Sequence, residues 1–442
     1  MATHTEQGPG LRAVSRPEQS AAAGEPGGRA ARLTRGFRAL RVRNYRLYWL
    51  GQLVSQTGSW MQTTAQAWLV LQLTHSPFAL GLVTTLQFLP VMLLSLFGGV
   101  LADRVNRHRM IIMTQTAAMV VAAIFGALVG LGVIQLWHIY VLALLQGIVN
   151  AIDNPARQAF SVELVGREDV VNAVALNSML FNSARIVGPA LAGLLIAAVG
   201  IAPVLLANAL SFVAVIAGLL LMNPAEFFAK PQRAEGPALE RLREGLRYSW
   251  RTPDVLLVLL VVAAIGTFGY NFSVTLPLIA GFVLRTDATG FGALSAFLGV
   301  GSLSAALLTA YARRVTVRRL LIASTAFSLL LGAVAVTPVY ALSAALLVAL
   351  GFAGITFSTT ANTLLQLNVP DHLRGRVLSL YFLLFAGSTP IGGLLIGTAS
   401  DVFGVPAALL LCAALCLLGL GGALLYRRTA GAPRPPAGAP AS

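Results

Sequence analysis

Gly99-Val-Leu-Ala-Asp-Arg-Val-Asn-Arg-His-Arg109 is the stretch that decides the fold. It sets Asp103, Arg104, Arg107, His108 and Arg109 between two long apolar runs, Leu82 to Leu101 and Met110 to Gly132. A membrane crossing takes about 20 mostly apolar residues, and each run supplies them. The stretch therefore reads as a tight charged turn between two spanning helices, on the side of the membrane where positive charge is retained.

Composition agrees along the whole chain. Hydrophobic residues are 57% of the 442 and charged residues 11%, with a mean hydropathy of +0.77. Soluble chains sit nearer half apolar and a quarter charged, so this is a membrane protein embedded in the lipid bilayer. Continuous apolar runs, in place of short alternating strands, exclude a transmembrane barrel. The formal charge of +15 raises nucleic acid as a partner, but its placement argues against one. All Lys and Arg except Arg185 and Arg285 fall in the tails, or in and beside alternate connections. That is the positive-inside pattern. It places both termini and the central connection on the cytoplasmic side, as expected of a chain in a bacterial-type inner (plasma) membrane.

Several chemistries are set aside by what the residues lack. Cys412 and Cys416 lie four apart on one helix face and read as packing residues. No metal or haem spacing occurs, so no cofactor and no metal is expected. Neither a phosphate-binding loop nor a Ser/His/Asp set is present, so no ATP-driven step and no enzyme activity is expected.

Spans are expected near 45–72, 78–101, 109–132, 136–157, 170–199 and 203–222, then near 254–283, 290–312, 318–336, 339–362, 374–400 and 405–426. The expected fold class is all-α, a polytopic membrane protein of twelve transmembrane helices in two pseudo-symmetric six-helix bundles. Residues 1–43 read as a disordered cytoplasmic tail and 44–222 as the N-terminal bundle. Residues 223–253 read as a cytoplasmic linker, 254–428 as the C-terminal bundle and 429–442 as a second disordered tail. Within the linker, Leu239, Leu242, Leu246 and Trp250 share one face opposite Arg241, Arg243, Glu244 and Arg247, the pattern of a short interfacial helix. The halves repeat in register. Ala102 to Met110 aligns with Ala312 to Leu320, Asn154 and Gln158 align with Asn362 and Gln366, and Gly188-Pro189 to Gly193 is echoed by Pro390 to Gly393. Parallel repeats of this kind place a binding site between two rocking halves.

The run Gly-x-Leu-Ala-Asp-Arg-x-x-Arg, from Gly99 to Arg107, resembles the signature loop of the major facilitator superfamily. Further stretches are similar to the bacterial exporter branch that includes the enterobactin exporter and macrolide efflux proteins. They are Asn44 to Trp49, Asp153 to Phe160, Asn172 to Ser178 and Arg185 to Gly193. Two positions depart from the pattern. Asn106 stands where the loop usually has Gly, and Asn also tolerates positive φ. Ala143 stands where proton-coupled drug exporters often carry an Arg ahead of Gln146-Gly147, so coupling through that arginine is not inherited.

The resemblance implies a secondary active transporter, exporting an amphipathic small-molecule substrate in exchange for protons by alternating access. Siderophore export is the alternative within transporters. A non-transporting membrane scaffold or a lipid scramblase is the alternative of another class. A monomer suffices for the fold. The resemblance also implies that Gly99, Asp103, Arg104, Arg107 and Arg109 form a conformational latch, the acid capping a helix of the opposite half. Arg313 stands where a second such acid would fall, so the latch is single.

Polar residues inside spans are costly and tend to face a cavity or a partner. Gln52, Gln56, Ser59, Thr63 and Gln66 form one helical stripe on the first span, and Gln146, Asn150, Asp153 and Arg157 another on the fourth. Thr267, Tyr270 and Asn271 on the seventh, with Thr356, Thr359, Thr363 and Gln366 on the tenth, complete the set that the resemblance places around a central substrate cavity. Its few charges favour a neutral or hydrophobic cargo. Asp153 and Arg185 are the proton-coupling candidates, with Asp153 expected to pair with Arg185 or Arg107. Gly188-Pro189, Gly193, Gly392, Gly393 and Gly397 are expected at the seam between halves.

Overall fold

The computed structural model describes residues 37–228, 238–310, 315–385 and 387–429. The first half holds α1 (Arg43–Thr74), α2 (Pro77–Arg104), α3 (Arg107–Gly130), α4 (Leu136–Gly166), α5 (Glu168–Val199) and α6 (Ile201–Leu220). A linker helix (Ala238–Arg251) leads to the second half. There follow α7 (Pro253–Val283), α8 (Ala288–Ala310), α9 (Val317–Val336), α10 (Tyr340–Asn368), α11 (Asp371–Phe385 continued by Thr389–Phe403) and α12 (Val405–Thr429). Among the described residues, eleven helices are long and apolar enough to cross a membrane. The twelfth is α1, whose 32 residues suffice in length. Its Gln, Ser and Thr stripe dilutes the hydropathy that the others carry.

Three departures from the expected spans have local causes. Helix α4 does not stop at 157 but runs to Gly166, because the charges beyond 157 are neutralised in place. Arg107 on α3 pairs with Glu163 at 2.6 Å, both buried. The chain then turns into α5 at Gly166, with φ 72° and ψ 175°, a conformation essentially reserved for glycine. A Cβ there would stand 2.9 Å from the Phe228 ring. Helix α7 is interrupted: π-helical turns at Ile265–Gly269 and Ile279–Val283 flank a break at Tyr270 and Asn271. Finally, Arg38–Arg41, assigned to the tail, forms a 3-10 turn. Arg38 pairs with Glu168 and Asp169 on α5, and the Ala39 N–H donates to Asn172. Residues 1–36 and 430–442 of the tails, linker residues 229–237 and Arg313 lie outside the described residues.

The linker helix turns its small residues to the protein. Gly245 packs on the Arg376 backbone of α11, and Glu244 pairs with the Arg376 side chain. Leu246 and Trp250 are left exposed on the opposite side.

The two bundles meet along two symmetry-related seams. On α2, a Cβ at Gly81 would stand 2.5 Å from the Gly393 carbonyl oxygen and 3.0 Å from Gly397 Cα of α11. On α5, a Cβ at Gly193 would stand 2.7 Å from the Ala288 carbonyl oxygen and 3.0 Å from Gly292 Cα of α8. Only glycine allows such close approach of helix backbones. Two hydrogen bonds fasten the first seam, Thr85 Oγ1 to the Pro390 carbonyl at 2.9 Å and Ser76 Oγ to Asp401 Oδ1 at 3.1 Å. Gly188 and Gly392, expected at the seam, pack inside their own bundles instead, against Thr57 and Trp60 of α1 and Thr267 of α7 respectively. The same exchange of partners in both halves is the pseudo-twofold symmetry expressed in packing.

Both seams lie at the ends of α2 and α5 farthest from the charged turn. Following α5 toward the turn, in the antiparallel register set by Gly193 with Gly292 and Ile186 with Gly299, the helices part. Met179, one step further along this register, is 44% exposed. The bundles are thus held together by glycine contacts at one end, while toward the end carrying the charged turn α5 is exposed on the side that its register turns to α8.

Candidate functional site

Between the bundles lies a cavity of two lobes that share Trp60, Thr63, Phe88, Phe181 and Ser273 in their walls. The polar lobe, about 260 Å³, belongs almost entirely to the first bundle. Its floor is Asp153, which is buried and fully engaged. One carboxylate oxygen accepts from Thr114 Oγ1 at 2.5 Å; the other accepts from Gln115 Nε2 at 3.0 Å and Arg157 Nε at 2.7 Å. Arg157 also donates to Gln52 Oε1 of α1 at 2.8 Å and to Asn154 at 3.2 Å. A chain of charge-assisted bonds therefore links α3, α4 and α1. From this lobe a further recess lined by Tyr48, Gln52, Gln158 and Asn177 continues along α1 and α4.

The second lobe, about 290 Å³, is aromatic and is built by both bundles. Trp60 of α1 and Arg185 of α5 face Tyr270 and Phe272 of α7, whose side chains are delivered by the break in that helix. Phe291 and Phe385 close its wall. The charges lining the lobes described are Asp153, Arg157 and Arg185, an excess of one positive charge. A polar lobe beside an aromatic lobe makes a site for a molecule with both polar and apolar parts.

Residues 34–431 match the family model described as transmembrane secretion effector. The chain belongs to this family of major facilitator superfamily transporters. It is 27% identical over 352 residues to the staphyloferrin A transporter of Staphylococcus aureus (strain NCTC 8325 / PS 47), covering 79% of this chain and 87% of that protein. It is 28% identical over 385 residues to the multidrug efflux pump Tap of Mycolicibacterium fortuitum, covering 85% and 94%. The fold is similar to the crystal structure of a bacterial homologue of the human lysosomal transporter Spinster, in an inward-facing and unoccupied conformation. The TM-score is 0.69 at 14% identity, over 87% of this chain and 97% of that one.

The cavity holds much of what the polar stripes indicated. Gln52, Gln56, Ser59, Thr63, Gln146, Asn150, Tyr270 and Asn271 all line it. Gln66 is buried away from it. Thr267 contributes its carbonyl to Asn271 Nδ2 at 2.7 Å, and its side chain lines neither lobe. The α10 residues Thr356, Thr359, Thr363 and Gln366 do not reach it. The rings of Tyr270 and Phe327 cover α10 at Gly354, and Thr356 faces a separate groove beside Arg318 and Arg319. Gln366 bonds to Asn362 and is exposed.

The expected partners of Asp153 require correction. Arg157, one helical turn on, takes the carboxylate; Arg107 goes to Glu163 and Arg185 to the aromatic lobe. The 153–157 spacing was in the stripe, and an intrahelical i,i+4 partner is the shorter reach. Stripe reading also missed Trp60, Gln87, Phe88, Gln115 and Phe181. Trp60 follows Gln56 by one turn and was findable as a stripe member. Gln87, Phe88 and Phe181 lie on helices where nothing but the assembled halves marks the inward face. The Asp103 side chain lies outside the described residues, as do any contacts it makes.

The glycine seam supplies a test of the closed end. Gly81→Leu overpacks the α2–α11 contact, a change that costs about 1–3 kcal/mol in a tightly packed site. A cysteine at Ser59 in the cavity wall is expected to become labelled by an impermeant maleimide applied from the closed end. Labelling equal to that of the parent would show that the seam does not hold this end shut.

Proposed function

We propose that this chain is a proton-coupled exporter, carrying an amphipathic small molecule out through the inner (plasma) membrane by alternating access. The observation that supports this most is the two-lobed cavity between the bundles, which glycine seams hold together at one end. In this reading the charged-turn end and both termini are cytoplasmic, residues 44–222 and 254–428 are the units that rock, and one chain encloses the whole route, so a monomer works. The proton site is Asp153. A proton arriving there displaces Arg157, whose bonds to Gln52 and Asn154 then carry the change to α1. Gly99, Asp103, Arg104, Arg107 and Arg109 are the latch that the opposite, outward-facing state would use.

The test is flux in vesicles containing the full chain, with an imposed proton gradient and a panel of fluorescent amphipathic compounds that includes a siderophore. Export coupled to protons predicts movement of at least one probe that stops when the gradient is collapsed. A scaffold moves none, and a scramblase moves labelled lipid with or without the gradient.

A further inference from the structure

Arg185 holds an unusual position. It is the base of α5 that lies at membrane depth, four residues before Pro189, which has no N–H to return to the Arg185 carbonyl. Its guanidinium carbon lies 6.0 Å from the Trp60 ring centroid, 5.7 Å from that of Tyr270 and 5.8 Å from that of Phe272. Among the described residues no carboxylate pairs with it and no protein acceptor takes its N–H groups. Cation–π contacts contribute only about 0.5–2 kcal/mol each. They shield the charge without satisfying five donors arranged in a planar fork. The other charges in the cavity are already spent on each other, since Arg157 is bound to Asp153 at 2.7 Å.

We infer that Arg185 is the docking point for an anionic cargo, a carboxylate carried on an aromatic or apolar body. This rests on reading the cavity as the transport route. The fork presents paired N–H donors to the two carboxylate oxygens. The body of the cargo lies on Phe88, Phe181 and Phe291, which line the same lobe. The rings on Arg185 belong to both bundles, Trp60 to the first and Tyr270 and Phe272 to the second. A bound anion therefore engages both units at once. A neutral molecule gains the apolar contacts but leaves the guanidinium unpaired, and a cation meets a cavity already in positive excess. Substrate choice thus shifts from the neutral cargo that sparse charge suggests to an amphipathic acid.

The experiment compares 1-naphthylacetate with its neutral amide, 1-naphthylacetamide, by calorimetric titration of the full chain in lipid nanodiscs at pH 7. The acid should bind at least about tenfold tighter than the amide, the margin expected of hydrogen bonds to a charged partner. Arg185→Gln should abolish the preference, bringing the acid and the amide to the same affinity; Arg185→Lys should retain part of it. The comparison in the parent protein needs no variant to fold. Equal affinities, no detectable binding of the acid, or a preference that survives Arg185→Gln would overturn the assignment. Flux and binding fail separately. A carboxylate preference that depends on Arg185 in a chain that moves nothing would refute transport alone, whereas gradient-driven flux without that preference would refute only the anion site.

Discussion

Asp153→Asn is expected to reduce gradient-driven flux to background while downhill movement of the same probe persists. The asparagine is neutral at every pH, so it fixes the site in the form that protonated aspartic acid would take. Its side-chain carbonyl can still accept from Thr114 or Gln115, and its loss of charge releases Arg157 permanently. Arg157 retains Gln52 and Asn154 as partners at 2.8 and 3.2 Å, so the helix should fold as before. What disappears is the cycle of binding and releasing a proton. The dependence of flux on pH should flatten, and collapsing the gradient should make no further difference. Of the acids in the described residues, Asp153 is the one in the cavity walls. If the variant transports against a gradient as well as the parent, the coupling proton is carried elsewhere.

Arg107→Met is expected to be the most destabilising single change at the charged-turn end. It leaves the Glu163 carboxylate, 5% exposed, without the guanidinium that sits 2.6 Å away. Breaking a buried ion pair from one side costs about 3–5 kcal/mol, because a lone charge stays behind in a poorly solvating site. The surroundings cannot easily relax. Glu163 lies one turn before the Gly166 bend, and its carbonyl accepts from the Phe228 N–H at 2.8 Å. The double change Arg107→Met with Glu163→Leu removes both charges and should recover most of the loss. Apparent melting temperatures of the three proteins in detergent decide it. A single variant as stable as the parent, or a double variant no better than the single, would show that the pair does not hold this end of the bundle.

The charged turn from Gly99 to Arg109 announced the architecture because hydropathy and charge asymmetry are written directly in composition. The ends of most spans followed from the same signals. Helix α1 was placed despite its polar stripe, since the stripe has helical spacing. The misreadings share a cause. Nothing in the sequence carries α4 past 157, because Glu163 becomes compatible with a continuing membrane helix only through its partner Arg107 on α3. The break in α7 had weak markers, Gly266, Gly269 and Pro277, which an apolar span tolerates. The α10 threonines have the right spacing for a cavity wall, yet the Tyr270 ring, delivered by that break, stands in front of their helix. The seam glycines were legible as small residues but not as pairs, because Gly193 finds Gly292 and Gly397 finds Gly81 only after both bundles have formed. Arg185 was visible as a costly base inside a span, while its aromatic surroundings come from helices far away in the sequence.

The central claim is that the two bundles rock about the cavity. Spin labels at Phe78 on α2 and Val402 on α11, both exposed near the closed end, report on it most directly. Cys412 and Cys416 are replaced by alanine for the measurement. A second pair, Phe78 with Leu131 just beyond α3, stays within the first bundle as a reference. Distance distributions by double electron–electron resonance should gain a longer Phe78–Val402 population when the sample is acidified or given a transported probe, with the Phe78–Leu131 distribution unchanged. A single Phe78–Val402 distance under every condition would contradict alternating access in this protein.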